Sequence, residues 1–242
     1  MKKINIIFIA CLIIVSAILS IKGVAFFNLS NAVAQEDLSR VEFLLKVGFS
    51  PNKTNPNGYT PLHFAAIAGN EKIAQALIEA KANVDALDGF GSSPIESATS
   101  FGHKKLVEVL IKNKATVQSN LIFTASFNGH TEIVELLLRH GLPLNETFPN
   151  GETSLHAVAF GDHVEAAKVL LDNGAQINSK NEKGYTPLHS AAFYGAEDVA
   201  KLFIENGADL NSKENKGHTP SQVARENGHS NIEKMLKKAK AT

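Results

Sequence analysis

An all-α repeat solenoid is the fold class that the 242-residue sequence predicts, and three observations carry that expectation. A tetrapeptide, Thr60-Pro61-Leu62-His63, returns as Thr186-Pro187-Leu188-His189 with Thr153-Ser154-Leu155-His156 between them, and degenerate copies stand at Ser93-Pro94-Ile95-Glu96 and Thr219-Pro220-Ser221-Gln222. A small residue, in most units paired with a second, follows each copy and also stands in two units without one, so that aligned positions fall at Ala32, Ala65, Ala98, Ala125, Val158, Ala191 and Ala224, at spacings of 33, 33, 27, 33, 33 and 33. Apolar residues then recur on one helical face, as Ile73, Ala74, Leu77 and Ile78 and again as Leu106, Val107, Leu110 and Ile111. Seven copies of one helix-turn-helix unit, none able to bury its face alone, account for the chain from about Leu29 onward.

Ahead of the repeats, Met1-Lys2-Lys3 is a positive start, and Ile4 to Ile21 is apolar apart from Asn5, Ser16 and Ser20. That is the pattern of a targeting peptide or an anchor. Eighteen helical residues reach roughly 27 Å against a hydrocarbon core of about 30 Å, so a cleaved signal and an uncleaved anchor both stay open. Small residues suited to cleavage stand at Gly23-Val24-Ala25 before Phe26 and at Ala32-Val33-Ala34 before Gln35, and the second cut would remove a helix of the repeat array. A lipid on Cys11 has only a poor motif behind it. Residues 1–25 are therefore expected to be a signal peptide or a membrane anchor acting through residues 4–21, leaving Lys2 and Lys3 on the cytoplasmic side. The remainder would be exported to a bacterial periplasm, held at the inner membrane or secreted.

Within each unit the residues state their roles. Thr60 is placed to cap a helix and Pro61 to occupy its first turn, where a missing N–H costs nothing. Gly48, Gly141, Gly174 and Gly207 end second helices where a left-handed residue is needed, whereas Lys81 and Lys114 stand there in two units and should be strained. Asp162 replaces the glycine expected between the two helices of its unit. Residues 29–54 lack the tetrapeptide and read as an N-terminal capping repeat, and units follow within 55–242 at about 57–86, 90–119, 120–146, 150–179, 183–212 and 216–240. The spacing of 27 removes six residues between Val117 and Ile122, and Asn120-Leu121-Ile122-Phe123 replaces the tetrapeptide, so that unit should lack its projecting turn.

These residues resemble ankyrin repeats, and the resemblance covers nearly everything beyond the N-terminal segment. It implies stacked helix-turn-helix units with β-hairpin-like fingers, such as residues 178–184, and a structural hydrogen-bonding role for His63, His156 and His189. It also implies that the position just after the small pair, and the next one, face a concave groove where protein partners bind. Phe127, Phe160 and Phe193 occupy the first position at 33-residue intervals, Phe101 and Tyr194 the second, and Phe90 is a finger tip that would line the same side with Phe148, Glu182 and Lys183. Aromatic anchors of this kind dominate interfaces, although packing between stacked helices would explain the same phenylalanines.

Composition narrows the chemistry. Lys+Arg and Asp+Glu number 24 each, which gives no global field toward nucleic acid or an anionic membrane. Cys11 is the only cysteine, so the repeats hold no disulfide or thiolate site. His103, His130, His163 and His229 follow the break between helices, His140 and His218 take surface slots, and repeat-equivalent residues do not converge on one atom. No phosphate loop, nucleophile elbow or zinc-binding motif is present. The expectation is a non-enzymatic, monomeric protein-interaction module without metal or cofactor, whose partner the sequence does not name. A host-directed effector of an intracellular bacterium, and an envelope chaperone or inhibitor protein supporting a stress enzyme or neutralising a toxin, are the alternatives.

Overall fold

The computed structural model describes residues 28–241, so the expected signal or anchor, Cys11 and the cut before Phe26 lie outside the described residues. Fourteen α-helices occur there, with no strand among the described residues. They come in seven pairs: α1 (Leu29–Ala34) and α2 (Leu38–Lys46), α3 (Pro61–Ala68) and α4 (Glu71–Glu79), α5 (Pro94–Ser100) and α6 (Lys104–Lys112), α7 (Asn120–Phe127) and α8 (Thr131–Arg139), α9 (Ser154–Ala157) and α10 (Val164–Asp172), α11 (Pro187–Tyr194) and α12 (Glu197–Glu205), and α13 (Pro220–Glu226) and α14 (Ser230–Lys240). None of the described helices is long and apolar enough to cross a membrane.

Two compact units divide the chain, one reaching to Ser97 and including Glu108–Ala115, the other made of Ala98–Val107 and everything from Thr116. In the first unit α1 packs on α3 and α2 on α4, burying Ala32, Val33, Val41, Leu44, Leu62 and Leu77. In the second, α7, α9, α11 and α13 form one layer and α8, α10, α12 and α14 the other. Alanines such as Ala191 and Ala192 are fully buried between the first-layer helices, where a larger side chain would hold them apart.

The tetrapeptide works as its residue types dictate. Thr60, Thr153, Thr186 and Thr219 each open a helix with a capping box, closed by a histidine in the first three and by Gln222 in the last. The threonine N–H donates to the ring Nδ1 of His63, His156 and His189 at 3.1, 3.1 and 3.2 Å. An accepting Nδ1 puts the proton on Nε2, which donates to the carbonyl of Ser92, Tyr185 and His218 in the following finger at 3.0, 2.9 and 3.1 Å. Burial disfavours the charged ring, lowering the pKa of His63 and His189 and taking His156 to about 4.

The fingers are tight turns rather than paired strands. Two backbone bonds close each: one from Asn55 N–H to Tyr59 O, Asp88 to Ser92, Phe148 to Glu152, Asn181 to Tyr185 and Glu214 to His218, at 2.8–3.0 Å, and one from the glycine three residues on, as from Gly58 N–H to Asn55 O at 3.0 Å. Consecutive fingers are stitched by one backbone bond, as from Glu182 N–H to Asn150 O at 2.9 Å, which is too little pairing to make a ladder. No finger precedes Asn120, where the chain runs from Ala115 to the helix without such a turn.

Left-handed backbone falls where the sequence demands it. Lys81, Lys114 and Asp162 have φ of 70°, 65° and 55°, a conformation costing an L-residue roughly 1–2 kcal/mol. At Lys81 the carbonyl accepts the Asn52 side-chain amide at 3.0 Å, and at Asp162 the carboxylate accepts Val199 N–H at 2.8 Å, capping α12 of the next repeat. Gly129 meets two constraints together: its φ is 72°, and a Cβ there would lie 2.4 Å from His163 Nδ1. His163 can pass over the glycine only because no side chain stands there, and its Nε2 reaches Phe127 O at 3.1 Å. His229 passes Gly195 in the same way and bonds to Phe193 O at 3.1 Å.

Candidate partner-binding site

The second unit carries a strip of aromatic rings built on the C-terminal ends of its first-layer helices. Phe127, at the end of α7, stacks on Phe160 just beyond α9 with centroids 4.4 Å apart and planes at 23°. Phe160 meets Tyr194 edge-on at 5.3 Å, Tyr194 meets its neighbour Phe193 at 5.1 Å, and Phe193 meets Tyr185 at 6.2 Å. At the other end Phe127 lies 6.5 Å from Phe123, whose ring packs on Phe148 at 4.8 Å. Seven rings from three repeats and two fingers thus touch in sequence.

The rings are neither core nor isolated. Exposure runs from 37% at Phe127 through 41% at Phe193 and 45% at Tyr194 to 54% at Phe160. Contact with neighbouring rings covers part of each and leaves the rest in water. A contiguous apolar surface of this kind marks an interaction site more often than scattered exposed residues do. Partial burial, and then the nearby Glu152 charge, raise the Tyr194 hydroxyl pKa. Tyr185 is raised by partial burial and then by Glu214 and Glu226.

Of the six residues singled out from sequence, the structure joins Phe127, Phe160, Phe193 and Tyr194 in this strip. Phe101 is 57% exposed and stacks on His103 at 6.5 Å. Phe90 belongs to the first unit and is 80% exposed at its finger tip. Sequence reasoning passed over Phe123 and Tyr185. Phe123 was legible, since it precedes Phe127 by four residues on one helix, a spacing at which side chains meet. Tyr185 stands beside a capping threonine, and only its contact with Phe193 reveals its second use.

The remaining histidines serve the frame. His130 bonds through Nε2 to Ser100 O at 3.0 Å, His103 stacks on Phe101, and His140 caps the C-terminus of α8. His218 does more than its surface slot suggested, with Nδ1 3.5 Å from Glu214 and 3.3 Å from Glu226. Among the described residues no three histidine, cysteine or carboxylate side chains gather as a metal site.

Helix pairs stacked through a recurring capping joint, with short finger turns between them, define a helical repeat protein. The family model for ankyrin repeats matches residues 29–121, 121–214 and 178–242, and the chain belongs to that family, whose fold is a protein-interaction module. A crystal structure of the human ASB11 ankyrin repeat domain is similar over 87% of this chain and 96% of that one, with 28% identity and a TM-score of 0.81.

Proposed function

We propose that this protein is a non-enzymatic binding module that receives a protein partner on the aromatic strip of its second unit. One observation carries the reading: Phe127, Phe160, Tyr194 and Phe193 touch one another in sequence while each stays more than a third exposed. Side chains that only filled a core would be buried, and side chains that only decorated a surface would not stack. Export or membrane anchoring completes the reading, supported by the Lys2-Lys3 start and the apolar run from Ile4 to Ile21.

A photoreactive residue at Tyr194 of the full chain, expressed in its native cell, should yield a discrete cross-linked partner. The same residue at Lys201, exposed on α12, should not. Combining F127A, F160A and F193A with the Tyr194 probe should abolish the product while the chain stays folded, the three truncations together costing about 3 kcal/mol, no more than one fully buried ring. Equal products from both positions, or survival of the product in the triple variant, would overturn the binding reading. Intact-mass analysis of the membrane and soluble fractions tests the compartment: a chain beginning at Met1 in the soluble fraction would contradict export and anchoring alike.

A further inference from the structure

The charge balance of the whole chain conceals a segregation. Residues 28–115 carry 9 acidic and 9 basic side chains, residues 116–212 carry 12 acidic against 5 basic, a net of −7, and residues 213–242 carry 3 against 7, a net of +4. The negative stretch is the one that builds the aromatic strip. Three of its five cations, Arg139, Lys168 and Lys201, stand on the second-layer helices, and Lys168 is paired with Glu165 at 2.8 Å. Lys180 donates to Lys213 O at 2.9 Å, which leaves Lys183 at its finger tip as the cation next in sequence to a ring-bearing turn.

Carboxylates border the rings. Glu152 closes the finger that carries Phe148, its carbonyl accepting Phe148 N–H at 2.8 Å, and its charge reaches the Tyr194 hydroxyl, while Glu226 and the buried Glu214 flank His218 and reach that of Tyr185. Glu226 also stands 33 residues beyond Phe193, in the register of Phe127, Phe160 and Phe193, so the row of rings passes into a carboxylate one repeat later. It is exposed and lies 3.3 Å from His218 Nδ1. Aromatic faces attract cations, and adjoining carboxylates strengthen that preference while opposing phosphate.

Resting on the strip as the partner surface, we propose that its occupant is a cationic peptide segment of the partner, with apolar side chains on Phe127 and Phe160 and lysine or arginine at the Tyr194, Phe193 and Glu226 end. The alkyl stem of such a side chain lies along a ring while its head meets a carboxylate, so one residue type uses both features. A second copy of this chain, docking through the lysines of α14, is the competing occupant.

The test titrates the full chain into a fluorescein-labelled twelve-residue peptide of alternating arginine and leucine, read by anisotropy, with the same peptide carrying glutamate for arginine as its counterpart. The arginine peptide should bind at least tenfold more tightly. E152Q with E226Q should weaken it at least fivefold, as should F160A, whereas E135Q with E205Q, which removes the same charge from α8 and α12, should change it less than twofold. Equal losses from the two charge pairs would reduce the effect to diffuse attraction and overturn the proposal, as would equal binding of the glutamate peptide. A dimer by sedimentation that E152Q with E226Q dissociates would assign the strip to a second copy instead. If the Tyr194 cross-link disappears in F127A, F160A and F193A yet is undiminished in E152Q with E226Q, the binding reading stands and the cationic occupant falls.

Discussion

Two neighbouring repeats of the second unit make the same joint with different chemistry. In the repeat opened by Thr153, the His156 ring accepts the threonine N–H and donates to Tyr185 O in the next finger, and it is buried. In the repeat opened by Asn120, the histidine position holds Phe123, the N-cap Ser119 makes no side-chain cap, and the Phe123 ring packs on Phe148 in the next finger. The polar joint hides its side chain and fixes a backbone carbonyl. The aromatic joint fixes less and leaves half-buried rings that lengthen the strip beyond Phe127. The repeat that departs furthest from the common pattern is the one that extends the candidate binding surface.

Acid should separate the two joints most. His156 holds a pKa of about 4 in the fold against 6.5 unfolded, so the unfolded chain takes up the proton first as pH falls. Its contribution is complete above about pH 6.5 and is lost between there and about pH 4, on the order of 3 kcal/mol. His63 and His189 act in the same direction. Hydrogen exchange across that range should show α9 losing protection before α7, and simultaneous loss would make the joints equivalent.

His189→Ala comes next in size. It leaves Thr186 N–H and His218 O without their ring partner in a buried place, and should cost about 2–3 kcal/mol by chemical denaturation. Phe123→Ala should cost less, because it strands no polar group, and an equal cost would erase the distinction.

Gly129→Ala should cost roughly 2 kcal/mol, from the left-handed backbone and the clash with His163 together. Adding His163→Ala should cost less than the two separate losses summed, since the clash is then gone. Strict additivity in a denaturation cycle would show that the ring was never pressed against that position.

The smallest effect is expected from Phe160→Ala. With 54% of the residue in water, its removal should cost about 1 kcal/mol, well below the 3–5 kcal/mol of a fully buried ring. A loss near the upper figure would place Phe160 in the core and make the strip a packing feature.

Much of this protein could be read before any coordinate. The 33-residue register placed the helix pairs, the capping threonines and the left-handed sites at Lys81, Lys114 and Asp162, because each depends on neighbours within one repeat. Glu36, at φ 54°, stands four residues after Ala32 as Asp162 stands after Val158, so the same register reaches it, whereas the 68° of Asn150 belongs to a finger turn that the helix register leaves open. His218 looked like a surface residue, since its link to Glu226 depends on where a turn and a helix end come to rest. The segregated charge was visible in the letters, hidden by a total of zero.

By itself the sequence determined the repeat, its register and which side chains cap, because those follow from short-range backbone sterics and hydrogen bonding repeated at a fixed period. Only the tertiary structure decided that Phe127, Phe160, Tyr194 and Phe193 touch while remaining partly in water. A ring's position along the chain fixes its helix face, but contact with a ring 33 residues away depends on how the stacked helices approach one another. That approach is set jointly by the buried alanines, by the histidines passing over Gly129 and Gly195, and by the bonds that tie one finger to the next.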